Sequence, residues 1–518
     1  MSLLLDALDR TLKEPGCAQR WNVLMATLLE TSDQSARRSV IDTLGNTPDG
    51  EPRADILRLT FLAGATGESR FENAAAAHVL AAQPSDPDRL AAFMAFQWLS
   101  ALQYQENRAD FTTALSAARL PEMAWRLMRE AAQTIPPGFL PRAAEDIQRI
   151  ALVVPYVGHQ FHTPSVMAVE QCAVLARQGR QVRLFSAQEL MPPDAALFRG
   201  DGRDLKLPPL NAQAWQNLLP AGVGMTISDS RFSLPGRWRK LMPLLADFNP
   251  DIVLLVGLYS PLAAALHTVR PVVGISVNTV PPIAPVDVWL TGDPTLAGRN
   301  TWGAIFPSPQ PVFHPWRVKR SGKQWQVTRA EFGAELGLHE KAVIWVTVGF
   351  RLEHEIKGEW ASRMLLLMSR QPDVVWLLIG GEGTLPQALL QAPAGRVRAL
   401  ATRNDLPGIL RNCDIFVNPP RMGGGFSVAE AMAEGLPVTS FAGSDGGDKV
   451  GELSLPDMNA YMERLAALTE KPGLRKDTGQ ALRQRFAERF DVEASGPALM
   501  AACRKAAILA RGRLTGLS

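Results

Sequence analysis

The chain has 518 residues, 46% of them hydrophobic and 20% charged, with 54 Lys and Arg against 51 Asp and Glu. That balance belongs to a globular protein with sizeable cores, and at about 150 residues per domain the length calls for two to four domains. The near-even charge and the lack of basic runs interleaved with aromatics exclude a nucleic-acid coat, while leaving room for a local basic pocket.

The four cysteines, Cys17, Cys172, Cys413 and Cys503, form no CxxC or Cys/His ligand spacing. A disulfide framework or a structural zinc site is therefore not expected, and reduced thiols suit a cytoplasmic protein. No metal ligands are assigned. The opening "MSLLLDALDRTLKEPG" carries Asp6 and Asp9 within a short apolar run, which does not read as a signal peptide. The longest apolar stretch, "IVLLVGLYSPLAAAL" from Ile252, falls short of the ~20 residues that span a bilayer. No transmembrane segment is expected.

Residues 1–140 read as an all-α domain. Segments such as "RFENAAAAHVLAAQ" and "DPDRLAAFMAFQWLSALQYQ" place apolar residues at helical spacing, and no run of β-branched residues interrupts them. Helix pairs of this size suit a helical array or a surface for homo-oligomerisation, although no fixed repeat period emerges. "QTIPPGFLPR" is a linker.

From Ile150 the pattern changes. "RIALVVPYV", "QVRLFSA", "DIVLLVGL", "PVVGISVN" and "VDVWLTGD" are continuous apolar runs, each followed by a loop, as in a parallel sheet covered on both faces. "SVMAVEQCAVLARQGR" is the first intervening helix, and residues 190–240 have no assigned elements. A second series follows: "AVIWVTVG", "VVWLLIGG", "RVRALA", "DIFVNP" and "PVTSFAG". The expectation is an α/β chain with a first Rossmann-like half over 146–318 and a second over 319–518. The second half would end in a long helix.

Ligands of open α/β sheets bind at the carboxyl ends of strands, so the loops there carry the chemistry. "RMGGG" leaves the strand "CDIFVNPP" and enters the helix "FSVAEAMAEG". Glycines let backbone N–H groups approach a ligand, and a helix start adds unpaired donors and a positive dipole end. Gly424, Gly425 and Ser427 thus form a candidate diphosphate cradle, with a ligand-free tight turn as the other reading. Glu430, one turn on, could accept hydrogen bonds from ribose hydroxyls, or simply be a first-turn acid favoured by the dipole. In "VTVGFRLEHEIKGEW", Arg351 and Lys357 follow a strand end. They could neutralise a diphosphate, or be a solvated pair matched by Glu353, Glu355 and Glu359. His159 and His162 lie in the loop after the first strand of the earlier half. His162, beside the helix start "TPS", is the candidate general base, with a purely structural or acceptor-binding role as the alternative. No HExxH, Walker A or GxSxG pattern occurs, and "GGEG" at 380–383 is not GxGxxG, which argues against a dinucleotide oxidoreductase.

The order of these pieces resembles the GT-B glycosyltransferases. "VGFRLEHEIKG" is similar to their phosphate-binding element, and "VVWLLIGGEG", "DIFVNPP" and "GGGFSVAEAMAEGLPV" follow in the expected order. The resemblance implies an acceptor-side half, then a nucleotide-sugar half. It implies Arg351 and Lys357 at the diphosphate of a nucleotide diphosphosugar (a UDP-sugar), Gly424 to Ser427 at the phosphates, and Glu430 at the ribose. The glycine-rich stretch resembles the retaining group 1 enzymes, but Met422 stands where many of them carry a second Glu. The helical region, "VDVWLTGD", "FHTPS" and "LATRND" resemble the inverting protein O-GlcNAc transferases and adhesin N-glucosyltransferases. That likeness implies His162 near the acceptor or the donor phosphate, and Arg403 near the nucleobase. Metal-independent transfer to a protein side chain is the expected activity. The alternatives are extension of a surface glycan, exopolysaccharide or lipid-linked saccharide, and a non-catalytic scaffold.

Overall fold

The structure is a computed structural model that describes residues 2–81, 86–104, 115, 119–158, 162–190, 199–201, 212–276, 280–292, 302–303, 305–316, 318–319, 327–422 and 425–516. Side chains at 99–104, 212, 213 and 216 are outside that description. Among the described residues twelve strands form two parallel sheets. The first contains β1 (Arg149–Val153), β2 (Gln181–Ser186), β3 (Gly224–Ile227), β4 (Ile252–Val256), β5 (Val272–Ile275), β6 (Val288–Thr291) and β7 (Gln310–Phe313), in the order 3-2-1-4-5-6-7. The second contains β8 (Val343–Val348), β9 (Val374–Ile379), β10 (Val397–Leu400), β11 (Ile415–Val417) and β12 (Val438–Thr439), in the order 10-9-8-11-12. Strand order reverses between β1 and β4 in one sheet and between β8 and β11 in the other. A doubly wound sheet opens a crevice at such points, so these four strand ends are where a ligand belongs.

Strand side chains alternate between faces, and the core follows that alternation. Ala151, Val153, Val253 and Leu255 face one way, into a core shared with the helices Leu234–Phe248 and Pro261–Leu266. Ile150, Leu152, Ile252 and Leu254 face the other way, against the helices Thr163–Arg177 and Gly496–Thr515. In the second sheet Ile344, Val346 and Leu377 meet the helices Phe426–Ala433 and Pro472–Arg489. Trp345, Trp376 and Leu378 meet Gly358–Arg370 and Met458–Glu470. Both sheets are therefore buried on both faces, which is why the strands read as unbroken apolar runs.

The N-terminal residues are helical, as expected, but they do not form a separate bead. Phe93, Met94 and Trp98 of the helix Pro87–Tyr104, and Leu127 of the helix Leu120–Ala132, lie in the same core as Trp238 and Leu241 of the first sheet's cover. A smaller core around Trp21, Leu24, Leu28 and Phe61 holds the outermost helices. Residues 199–201 reach back into the helices: the Gly200 N–H donates to Thr60 Oγ1 at 2.7 Å, and Arg199 pairs with Asp201 and Glu72.

Between 190 and 240 the described residues form the helix Ala212–Leu218, strand β3 and the start of the helix Leu234–Phe248. Strands β3 and β7 were absent from the sequence expectation. They are the two edges of the first sheet, only part-buried, and β7 carries Pro311, so neither has the apolar signature of the inner strands. The helix Gly496–Thr515 comes last in the chain yet packs on the first sheet through Leu499, Cys503 and Ala506. Arg513 on it pairs with Asp287 at 2.9 Å. Among the described residues no helix is long and apolar enough to cross a membrane.

Gly380, just after β9, has φ +142°, and a Cβ there would lie 2.0 Å from the Gly349 carbonyl oxygen after β8. The two strand exits can touch only because no side chain intervenes. Gly380→Ala is expected to destabilise the second sheet by about 2–4 kcal/mol through backbone strain and overpacking. Urea unfolding followed by tryptophan fluorescence checks this, and an unchanged midpoint would rule out the close approach.

Candidate active site

The loop leaving β11 runs from Asn418 through Arg421 to Gly425, where the helix Phe426–Ala433 begins. Gly425 is the N-cap residue, with φ +64° and no side chain to cap the helix; a Cβ would meet the Asp445 carbonyl oxygen at 2.6 Å. A left-handed turn at the cap and a helix start without a side-chain acceptor leave backbone N–H groups for an anion. Gly424 lies outside the described residues. Ser427, in the first turn, accepts a hydrogen bond from Arg421 Nη2 at 3.0 Å.

Arg421 organises this loop and was not singled out in the sequence. Its side chain is 6% exposed and pairs with Glu355 at 2.9 Å. It donates to the Val348 carbonyl at the end of β8 and to Asn418 Oδ1, both at 3.0 Å, and approaches Asp445 at 3.7 Å. Asn418 Nδ2 donates to Asp445 Oδ1 at 3.1 Å. Burial alone would push the Glu355 carboxyl up, but Arg421 and Arg351 outweigh it and hold Glu355 below the usual carboxylate range. Burial dominates at Asp445 and pushes its carboxyl up, against the opposing pull of Arg421. Removing one partner from a pair this deep typically costs 3–5 kcal/mol, because the other charge is stranded.

Arg351 is tied into the same network rather than standing as a solvated cation. Its Nε donates to Glu355 Oε1 and its Nη2 to the Met422 carbonyl, both at 3.1 Å, so it braces the glycine-rich loop from the β8 side. Lys357 is exposed at the N-cap of the helix Gly358–Arg370, after the same strand. Arg403 follows β10 at the sheet edge, two strands from β8. It chelates Asp405 at 2.8 and 2.9 Å and also meets Glu335 at 3.1 Å. The structure thus brings Arg351, Gly425 and Ser427 together around Arg421 and holds Arg403 in a separate cluster.

Glu430 sits beyond the first turn of its helix, so the reading as a first-turn acid fails. It is part-buried; burial, then repulsion from Glu434, pushes its carboxyl up to about 7. It also acts on Glu170 of the helix Thr163–Arg177, in the first half of the chain. Glu170 is pushed up to about 8, first by burial and then by the Glu430 carboxylate, and Lys319 opposes the shift. Its Oε2 is buried without a hydrogen-bond partner among the described residues. The helices following β1 and β11 therefore face each other with two carboxyls near the junction of the two halves.

On the first sheet, His162 is the N-cap of the helix Thr163–Arg177, and its Nδ1 lies 2.7 Å from Ser165 Oγ. Ser165 Oγ donates to the Tyr156 carbonyl at 3.2 Å, so toward His162 it acts as an acceptor. We accordingly assign the proton to Nδ1, which leaves the Nε2 lone pair unprotonated. The Tyr156 ring stands edge-on to the imidazole at 5.0 Å, and burial pushes the His162 pKa down to about 4. The neighbouring loop after β4 is fixed by Glu189, which is fully buried. Glu189 Oε1 accepts from the Leu262 N–H at 2.8 Å and Trp238 Nε1 at 3.1 Å, and Ser260 Oγ donates to Oε2 at 2.5 Å. Burial raises this carboxyl to about 7. A small cavity lies between these loops, lined by His162, Pro155, Gly257, Tyr259 and, from the N-terminal helices, Trp98.

Among the described residues one trio, Asp49, Asp55 and His78, has metal-ligand spacing. It lies in the N-terminal helices, and Arg58 already pairs with both carboxylates at 2.6 and 3.2 Å.

Residues 344–471 match the family model described as glycosyl transferases group 1. This segment is similar to a group 1 glycosyltransferase domain. It spans β8 to β12 and includes Arg351, Lys357, Arg403, Arg421 and the Gly425 bend. The whole chain has the GT-B fold with an N-terminal helical region. A mutant of Thermobaculum terrenum O-GlcNAc transferase superposes with a TM-score of 0.58 at 15% identity, over 99% of this chain and 95% of that one. A second similar structure is Anabaena Alr3699/HepE in complex with UDP and glucose, with 13% identity, a TM-score of 0.46, and coverage of 68% of this chain and 98% of that one. No curated protein matches.

The carboxyls at the junction predict a pH signature. A raised carboxyl contributes stability that is complete below its unfolded pKa, here about 4.5, and lost as pH rises through its folded value, here about 8. Glu170→Gln removes that loss. The difference in Tm between the variant and the parent should therefore grow in the variant's favour from pH 5 to pH 8.5. Parallel melting profiles across that range would contradict the buried placement of Glu170.

Proposed function

We propose that the chain is a glycosyltransferase that moves a sugar from a nucleotide diphosphosugar, a UDP-sugar, to a protein side chain, without a metal ion. The observation that carries this reading is the uncapped helix start behind Gly425. It lies at the switch point of the second sheet, with Arg421 and Arg351 locked beneath it. The group 1 domain supports glycosyl transfer. The helical region, aligned over its length with a protein named as an O-GlcNAc transferase, supports the choice of a protein acceptor.

Glycosyl transfer breaks the bond between the anomeric carbon and the diphosphate and forms one from that carbon to the acceptor oxygen. Negative charge grows on the departing diphosphate while the acceptor releases a proton. In this reading, backbone N–H groups of residues 425–428, with Arg351 and Lys357, take up the first change. These donors are held in position before reaction, so no reorganisation is needed as charge develops. Glu430, raised toward neutrality, contacts the ribose hydroxyls, and Arg403 serves the base side of the nucleotide. The Nε2 lone pair of His162 receives the acceptor proton. Its low pKa keeps the imidazole neutral at all pH values above about 4, so it is available as a base without prior deprotonation.

Titration calorimetry with UDP, GDP, ADP, CMP and dTDP is expected to show binding of UDP. Lys357→Ala, which removes an exposed side chain, should lower turnover by about 10²-fold with an unchanged Tm. Absence of nucleotide binding, or near-normal turnover in Lys357→Ala, would overturn the phosphate assignment.

His162→Ala is expected to abolish transfer while UDP binding stays measurable. In the parent protein the acid limb of kcat/KM should fall near pH 4 rather than near 6.5. Residual transfer within tenfold of the parent would remove His162 from the role of base.

A further inference from the structure

The chain passes between its two halves twice, outward between Phe313 and Arg329 and back between Arg489 and Gly496. The two crossings are bonded to each other. The Val318 N–H donates to the Phe490 carbonyl and the Val492 N–H to the Val318 carbonyl, both at 3.0 Å. The helix Thr163–Arg177 of the first half is tied to both crossings. Its Arg177 pairs with Glu493 at 2.5 Å, and Lys319 pairs with the same carboxylate at 3.0 Å. Seven residues earlier, on the same face of that helix, the Glu170 carboxyl accepts from the Lys319 backbone N–H. Its Oε2 is buried with no partner among the described residues. On the other side stands the helix Phe426–Ala433, whose Phe426 packs against the cores of both sheets. Glu170 therefore sits where a first-half helix, the crossings and the helix behind the Gly425 bend meet.

The charge a carboxyl carries at such a place depends on whether the halves are docked. Docked, one oxygen has a single backbone donor and the other has none, so the neutral form is favoured. Undocked, both oxygens reach water, and the ionised form is favoured. The charged groups that act on Glu170 from the surrounding elements are Glu430 of the helix Phe426–Ala433, and Lys319 and Glu493 of the crossings. Two of the three are acids, and the one cation is shared with Glu493. Glu434 acts on Glu430 in turn and is itself paired with Arg411. Burial first, and then Glu430, oppose a charge on Glu170 in the docked state.

We propose that Glu170 is a proton-operated clasp at the hinge between the two halves. With its carboxyl protonated, the helix Thr163–Arg177, the crossings and the helix Phe426–Ala433 stay docked. Loss of the proton drives them apart and draws the Gly425 bend away from the first sheet. Glu170 acts through that bend, so it is a positioning residue. The sign follows from the two environments. The docked carboxyl is raised to about 8, against about 4.5 in water. Docking is strongest below the lower value, weakens by up to about tenfold per pH unit between the two, and levels off above the higher one. The halves thus close as the surroundings acidify. The inference rests on the transferase reading only for what the Gly425 bend holds.

Single-molecule energy transfer on the full chain provides the test. Dyes are attached through Leu244→Cys in the first half and Leu366→Cys in the second, both at exposed positions. Cys17→Ser removes the part-buried thiol, and the other three cysteines are buried. The ratio of closed to open molecules should fall from pH 5 to pH 8 and then level off. Glu170→Gln keeps the shape of the side chain and cannot ionise. It should reduce the steepness by one proton, up to about tenfold per unit, and leave more molecules closed at pH 8 than in the parent. A purely structural glutamate would give the opposite, a variant more open than the parent. A parent ratio independent of pH, the same steepness in Glu170→Gln, or a more open Glu170→Gln at pH 8 would each overturn the proposal. The readout needs no nucleotide. Closure that follows pH in a chain that binds no UDP would sink the transferase reading and leave the clasp standing. UDP binding with populations indifferent to pH would do the reverse.

Discussion

A guanidinium buried to the extent of Arg421 is tolerated only if its charge is matched and its donors are used, and meeting that requirement sets the shape of the second half's strand ends. Its donors go to the end of β8, to Asn418 after β11, to Ser427 at the helix start and to Glu355. Each of those groups lies on a different turn of the chain. Arg421 therefore fixes the spacing between the β8 and β11 exits, and with it the position of the uncapped helix start. Arg351, reaching the same Glu355 and the Met422 carbonyl, closes the arrangement from the exposed side. An anion arriving there meets donors already held apart at a fixed distance, which is what charge stabilisation during reaction requires.

Much of this was legible in the sequence because the inner strands are buried on both faces and leave unbroken apolar runs. β4 and β9 are fully buried along their length, and their sequences announce them. The glycine-rich entry to the Phe426–Ala433 helix was legible for a similar reason: a backbone conformation closed to other residues leaves a visible composition. The edge strands β3 and β7 were not legible, since half-exposed strands of four residues carry no such signature. Arg421 was missed because a lone arginine among prolines has no periodicity, and its role is set by partners from 348 to 445. Of the two readings the sequence leaves for Arg351, a diphosphate cation or a partner of nearby glutamates, the structure shows the pairing with Glu355, together with a bond to the Met422 carbonyl. The resemblance links Arg403 to the nucleobase; its chelation by Asp405 is local, while its place at the edge beyond β10 beside Glu335 is a tertiary fact.

Glu170 shows the same limit from another side. A glutamate midway along an amphipathic helix ordinarily marks the solvent face. Here burial, and then the Glu430 carboxylate from the second half, raise Glu170, while burial and Glu434 raise Glu430. The influence of Glu430 on Glu170 comes from the docking of two halves, separated by more than 250 positions in sequence.

The two halves present opposite chemistries to the junction. The second offers helix N–H groups and fixed guanidinium charge, suited to a group that becomes more negative as reaction proceeds. The first offers a neutral imidazole beside Trp98 and Tyr259 in a largely apolar wall. Burial is the common cause. It lowers the His162 pKa, which keeps the imidazole neutral, and it strengthens the Arg421–Glu355 pair, which keeps the cationic side rigid. The N-terminal helices contribute to that burial directly, because Trp98 closes the cavity while its neighbours share the core behind β1 and β4. Their removal would open the His162 cavity to water, so the helical region belongs to the chemistry of the first half as much as the sheet does.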